Sequence, residues 1–259
     1  MIFETHAHYD DEQFENDRDL LIPDLLSGNI CNIINVSSSV ESVKTGIVLA
    51  EKYGKVYAAV GVHPSDIAGL NEESFAWIRE QCSHPKVAAV GEIGLDYYWE
   101  KEEEVQKSQR EWFFRQIKLA EEEDLPIIIH SRDAAEDTMK VMREAHAENI
   151  PGVVHCYSYS LEMAREFVKM GYYIGVGGVV TFKNAKKLKD VVRGIPLERI
   201  LLETDAPYMA PEPYRGTRNH SGNLTYVVEK IAELKGVTTE EVEEITLKNA
   251  RTLFPKTHG

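Results

Sequence analysis

The 259-residue chain has no apolar run approaching the roughly 18–20 residues of a membrane-spanning helix, which excludes a membrane partner of that kind. It opens on a strand-like run rather than on a basic and apolar leader, so a cytoplasmic location is expected. Cysteine is scarce: Cys31, Cys82 and Cys156 are odd in number, far apart and outside any CxxC pair, which fits reduced, partly buried thiols better than a disulfide framework. Basic residues are in deficit, 29 against 43 acidic, for a net charge of −14. That balance argues against a broad electrostatic grip on long duplexes. It leaves open a phosphodiester whose charge is neutralised locally by cations. Neither a glycine-rich P-loop nor a Ser-His-Asp arrangement occurs. Linkers, low-complexity segments and any signal of an obligate protein partner are lacking too.

What is present is a regular alternation. Short apolar runs near 2–6, 31–36, 56–61, 87–92, 126–130, 152–155, 172–176 and 199–203 read as strands. Helical patterns fall between and after them, near 12–28, 40–53, 72–83, 102–124, 133–148, 160–170, 184–193, 223–235 and 239–254. Phe113, Ile117 and Ala120 form an apolar stripe in the fourth helix, and Thr238 with Glu241 has capping-box spacing. Repeated βα units predict a parallel sheet, and eight of them predict a single-domain TIM (β/α)8 barrel over residues 1–259.

The ends of these runs carry the chemistry. His6 and His8 close the first, Glu92 the fourth, His130 the fifth, His155 the sixth and Asp205 the eighth. In a barrel these ends form the mouth where active sites are built. The period of two sends His6 and His8 to one face, where they can share a metal. Glu92, with two oxygens, can bridge to a second metal held by His130 and His155. Asp205, beside the first strand once the barrel closes, can ligate the first metal and hold or deprotonate a water; Glu92 and Asp205 are the expected catalytic pair. Glu203, two residues before Asp205, is expected one layer deeper, behind the ligands. Cys156 is expected to face away from His155, because successive strand residues alternate. Two divalent ions (Mg, Mn, Zn or Ni) would activate water and clamp a phosphodiester.

Further candidates lie around this set. His63, in Gly61-Val62-His63-Pro64, could bond a phosphate or the water. Arg132, Arg215 and Arg218 could fork onto phosphate oxygens, while Arg218 and Asn219 could equally pin the long loop after Asp205. Tyr157 and Tyr208 could stack on bases. His84, His146 and His258 are placed away from the mouth.

These motifs resemble the TatD-related deoxyribonuclease family of metal-dependent hydrolases. The resemblance runs through Glu4-Thr5-His6-Ala7-His8, Gly61-Val62-His63-Pro64, Gly91-Glu92-Ile93-Gly94-Leu95-Asp96-Tyr97-Tyr98, Pro126-Ile127-Ile128-Ile129-His130-Ser131-Arg132 and His155-Cys156-Tyr157-Ser158. It continues through Leu202-Glu203-Thr204-Asp205-Ala206-Pro207-Tyr208, Arg215-Gly216-Thr217-Arg218-Asn219 and Asn249-Ala250-Arg251-Thr252-Leu253-Phe254. It implies a TIM barrel with one metal at His6, His8, Glu92 and Asp205 and another at Glu92, His130 and His155. It also implies a magnesium- or manganese-supported nuclease that removes nucleotides from the 3′ end of single-stranded DNA. One stretch departs: where many relatives continue Arg-Asn with Glu-Pro, this chain has His220-Ser221-Gly222. Two other readings keep the metals, an ester or amide hydrolase acting for example on D-aminoacyl-tRNA, and a metal-binding interaction protein.

Overall fold

In the computed structural model, residues 1–257 are described, and all eight strands form one parallel sheet in the order β1 to β8. They are β1 (Ile2–Ala7), β2 (Ile30–Val36), β3 (Val56–Val60), β4 (Val87–Asp96), β5 (Ile127–Arg132), β6 (Gly152–Val154), β7 (Tyr173–Val176) and β8 (Ile200–Leu202). The sheet closes where Asp205 N donates to His6 O at 2.9 Å and His8 N to Ala206 O at 2.7 Å. This is the expected TIM barrel.

Nine helices are present among the described residues: α1 (Arg18–Ser27), α2 (Val40–Lys52), α3 (Glu72–Gln81), α4 (Glu103–Glu122), α5 (Ala135–Glu144), α6 (Leu161–Lys169), α7 (Lys186–Gly194), α8 (Leu224–Lys235) and α9 (Thr239–Leu253). Their apolar stripes lie on the strands; Phe113, Ile117 and Ala120 of α4 are all buried. Thr238 caps α9 by accepting from Glu241 N at 3.2 Å. The expected start of the first helix near residue 12 is corrected: Glu12–Phe14 is a separate 3₁₀ turn, and α1 begins at Arg18.

The strand ends differ in an informative way. β6 and β8 stop at Val154 and Leu202, so His155 and Asp205 sit just beyond the ladders, whereas β4 runs four residues past Glu92. In β1 the step from Glu4 to Ala7 pairs with the shorter step from Ile33 to Asn35 on β2, which is a bulge. Phe3 belongs to the apolar cluster that fills the barrel with Ile34, Ile128, Val153 and Leu201, above Phe254. Strict alternation would turn His6 away from the face that Phe3 occupies. The extra residue restores it to the interior.

Gly94 lets β4 reach its full length. It pairs with His130 and has φ +150°, and a Cβ built there would lie 1.8 Å from the His130 carbonyl oxygen. That neighbour is backbone and cannot swing aside. Gly94→Ala is expected to destabilise the protein by on the order of 3 kcal/mol. Urea unfolding checks this, and a change below about 0.5 kcal/mol would show that the strand relaxes freely.

Candidate metal centre

At the mouth of the barrel four imidazoles surround one carboxylate. Glu92 Oε2 lies 3.5 Å from His6 Nε2 and 3.9 Å from His8 Nε2. Its other oxygen, Oε1, lies 2.8 Å from His130 Nδ1 and 3.6 Å from His155 Nε2. Asp205 Oδ1 adds a third side, 3.3 Å from His8 Nε2 and 3.8 Å from both His6 and His155 Nε2. All six sequence-predicted ligands therefore meet. Donor atoms bound to one cation at about 2.0–2.2 Å stand roughly 3–4 Å apart, which is the spacing of these carboxylate oxygens from their imidazoles and of His6 from His8.

The ring orientations fit metal ligation. His8 Nδ1 donates to the Val36 carbonyl at 2.8 Å, which leaves the Nε2 lone pair facing His6 Nε2 only 3.2 Å away. Two ring nitrogens pointed at each other need a cation or a proton between them. Carboxylates stand behind the other group: Glu203 Oε2 is 3.3 Å from His155 Nδ1, and Asp96 Oδ2 is 3.1 Å from His130 Nε2. Glu203 occupies its expected place, and its Oε1 accepts from Cys156 N at 2.6 Å. Gly175 makes room for it, since a Cβ there would sit 2.4 Å from Oε2.

Charge in so dry a cluster shifts the protonation of its imidazoles and of Glu92 and Asp205. Burial alone would lower His155 and His8, but Glu203, Glu92 and Asp205 outweigh it and hold them up at about 10 and about 9. Burial would raise Glu92, yet the charges of His155 and His6 keep it well below the ordinary carboxylate range. Asp205, likewise raised by burial, is brought below its ordinary value by His8, His155 and His6.

The remaining candidates divide. His63 stacks edge-on against His130 with centroids 4.3 Å apart, and its Nδ1 accepts from Ser65 N at 3.1 Å. Burial and His130 push it down to about 3, so the neutral ring carries its proton on Nε2. Arg132 lies at the mouth with its guanidinium 3.9 Å over the Tyr98 ring. Tyr208 is half-exposed beside the cluster, its hydroxyl donating to Asp11 at 2.9 Å. Tyr157 is only 3 % exposed, with its hydroxyl on Ser160 O and its ring against Tyr159 and Phe167, so it is a wall and no stacking platform.

The long loop, 206–223, is braced. Arg218 forks onto Asp17 at 2.8 and 2.5 Å and bonds the Gln13 carbonyl. Asn219 is fully buried and ties Thr204 O to Tyr208 O. Arg215 lies 4.3 Å over the Phe182 ring. None of these three is brought to the cluster, so the loop-pinning alternative describes Arg218 and Asn219. The His220-Ser221-Gly222 departure is also internal, with Ser221 buried and hydrogen-bonded to the Tyr9 hydroxyl. His84 pairs with Glu51 and His146 lies near Glu148, both away from the cluster, and His258 is outside the described residues.

One expectation is corrected. Cys156 does not point away, because β6 has ended and its backbone is left-handed at φ +44°. Its sulfur lies within 4.8 Å of ligand atoms on His155 and Asp205. Burial and the nearby carboxylates raise the thiol well above its ordinary value, so it stays protonated. Two contributors were missed. Asp96 shares the inner face with Glu92 at a spacing of four on one strand, a signal already present in Gly91–Asp96. Glu4 is buried two residues before His6 and accepts from His6 N, Thr204 N and Thr204 Oγ1 at 3.1, 2.9 and 2.7 Å, tying β1 to the segment that carries Asp205.

Two outcomes follow for metal binding. Glu92→Ala should empty both metal positions together, checked by metal analysis of the purified variant; two full sites would remove the bridging role. His8 and His155 hold protons at neutral pH that a metal must displace, so binding should release protons and tighten as pH rises. Calorimetry in buffers of different ionisation enthalpy checks the release. Without metal, the stabilisation from these two rings is complete below pH 6.5 and is lost as pH rises through about 9 and about 10. The melting temperature of metal-free protein should therefore fall between pH 7 and pH 9, and a flat or rising profile contradicts the assignment.

The family model described as TatD related DNase matches residues 3–255. The chain is 46% identical over 254 residues to YabD of Bacillus subtilis (strain 168), described as an uncharacterized metal-dependent hydrolase, covering 98% of this chain and 99% of that protein. It is 37% identical over 242 residues to TatD of Mycobacterium tuberculosis, described in the same words, covering 90% and 89%. The crystal structure of YjjV, a TatD homolog from Escherichia coli K12, superposes with a TM-score of 0.91 at 33% identity, covering 98% of each chain. With the candidate ligand cluster, the barrel and the whole-length match in agreement, this chain belongs to the TatD-related DNase family and is a metal-dependent hydrolase.

Proposed function

We propose that residues 1–259 act as one cytoplasmic deoxyribonuclease domain that removes nucleotides from the 3′ end of single-stranded DNA, using two divalent metal ions. The observation that carries this reading is Glu92, whose two oxygens face two separate imidazole groups. A cavity of about 550 Å³ opens directly above it, lined by His63, Asp96, Trp99, Arg132, Asp205 and Tyr208. Its exposed rings, Trp99 and Tyr208, suit unpaired bases, which stack on any aromatic face regardless of sequence. The three thiols are free, as a reducing compartment would keep them.

When bound, the metals would polarise the attacking water and neutralise charge on the phosphoryl oxygens. His6, His8, Glu92, His130, His155 and Asp205 would hold them. Asp205 has the most accessible carboxylate of the ligands, 19% exposed against 5% for Glu92, and it is ionised at neutral pH. It orients the water and accepts its proton as oxygen attacks phosphorus and the bond to the leaving oxygen breaks. His63 offers Nε2–H to a phosphate oxygen, and Arg132 supplies a fixed positive charge beside it.

Asp205→Asn keeps the shape of the side chain and removes its charge. The variant should stay folded and lose about 10²–10⁴ in rate. Turnover of 3′-labelled single-stranded DNA checks this, and activity within about threefold of wild type would falsify the role. Wild-type enzyme that cleaves D-aminoacyl-tRNA but neither DNA nor RNA would replace the nuclease reading with the ester-hydrolase one.

A further inference from the structure

A second cavity, of about 450 Å³, opens beside the metal cluster between β6, β7 and the start of α7. His130, His155 and Asp205 form the wall it shares with the cluster, while Tyr157, Val179, Leu188 and Met209 give it an apolar lining. Its size falls within the roughly 300–1,000 Å³ of sites that enclose small organic ligands. Its rim is cationic. Arg132, Lys186 and Lys187 border it, and none of the three forms an ion pair among the described residues.

The placement of the two lysines is electrostatically costly. They occupy the first turn of α7, which has no acidic residue and no side-chain cap. Cations at the positive end of a helix dipole are disfavoured unless an anion is brought there. On the far side of the cluster stand Asp10 and Asp11, lining the other cavity. A polyanion reaching the metals is therefore drawn to one side and repelled from the other. The loop arginines do not supply this charge: Arg218 is paired with Asp17, and neither Arg215 nor Arg218 lines the cavity.

We propose that this cavity is the subsite for the nucleotide unit flanking the scissile phosphodiester. Sugar and base lie against the apolar lining, and the neighbouring phosphate is held by Lys186 and Lys187 with Arg132. The assignment rests on the nuclease reading above and adds the direction in which the strand leaves the metals.

The test compares wild type with Lys186→Gln/Lys187→Gln and with the charge-restoring Lys186→Arg/Lys187→Arg, using bis-(p-nitrophenyl) phosphate, a thymidine dinucleotide and oligothymidylate. The Gln variant should raise KM for the two nucleotide substrates about tenfold relative to its effect on the small diester, with kcat little changed, and the Arg variant should restore it. The slope of log affinity against log salt should fall by about 0.7, the value for one single-strand phosphate contact. Equal losses on all substrates, or no change on any, overturn the subsite. Binding of a dinucleotide with a non-hydrolysable methylenephosphonate link, measured by calorimetry, separates the two proposals. If wild type cleaves no phosphodiester, the nuclease reading fails, while tight binding that the Gln variant loses still supports the subsite. Absence of binding to wild type overturns it.

Discussion

Everything at the mouth of this barrel depends on the buried carboxylate of Glu92 and its need for positive charge on both sides. A lone ionised carboxylate in so dry a place is costly, and the protein answers with imidazoles rather than with lysine or arginine. Imidazoles can be neutral ligands or charged partners, so the same side chains accept protons or metal ions. That exchange couples pH to metal binding. Asp96 and Glu203 extend the pattern outward, Asp96 through a hydrogen bond to His130 and Glu203 through its charge 3.3 Å from His155.

Such a cluster holds its geometry only if the strand ends are fixed against one another. The closing seam does this through the Asp205-to-His6 and His8-to-Ala206 backbone bonds and through the Glu4 carboxylate, which grips Thr204. Burial outweighs these hydrogen bonds and raises Glu4 to about 7, so the brace lies close to a proton exchange of its own. On the opposite side, two buried glutamines of α4 bind strand ends: Gln116 bonds both Val62 N and Val62 O, and Gln109 bonds Asp96 N and Pro64 O. Polar groups inside the shell of helices thus serve the site by locking the β3 and β4 exits.

The acidic surface and the nuclease reading are reconciled by local rather than global charge. A net charge of −14 repels polyanions over most of the surface. The unpaired cations near the mouth, by contrast, gather on the side of β5 and α7. On the proposed nuclease reading, weak non-specific binding and directional entry would both follow from this one arrangement.

Most of the barrel, and the gathering of the six candidate ligands at its mouth, were legible in the sequence, because a βα alternation with His, Glu or Asp at the strand ends is a short-range pattern. Each ligand lies within a few residues of the apolar run that positions it. The period of two also sufficed to put Glu203 behind the ligands and His6 beside His8. What it could not reveal were events that depend on neighbouring strands: the β1 bulge, the extension of β4 to Asp96, and the left-handed turn that brings Cys156 back to the cluster. The loop arginines show the same limit. Arg215 and Arg218 looked available for phosphate until packing paired Arg218 with Asp17, a residue 201 positions away, and laid Arg215 on Phe182. The sequence by itself determined which residues could ligate a metal and on which strand each would stand, since those are local properties. Only the tertiary structure decided which cations stay free to meet a substrate, because a partner distant in sequence becomes visible only when the chain has closed on itself.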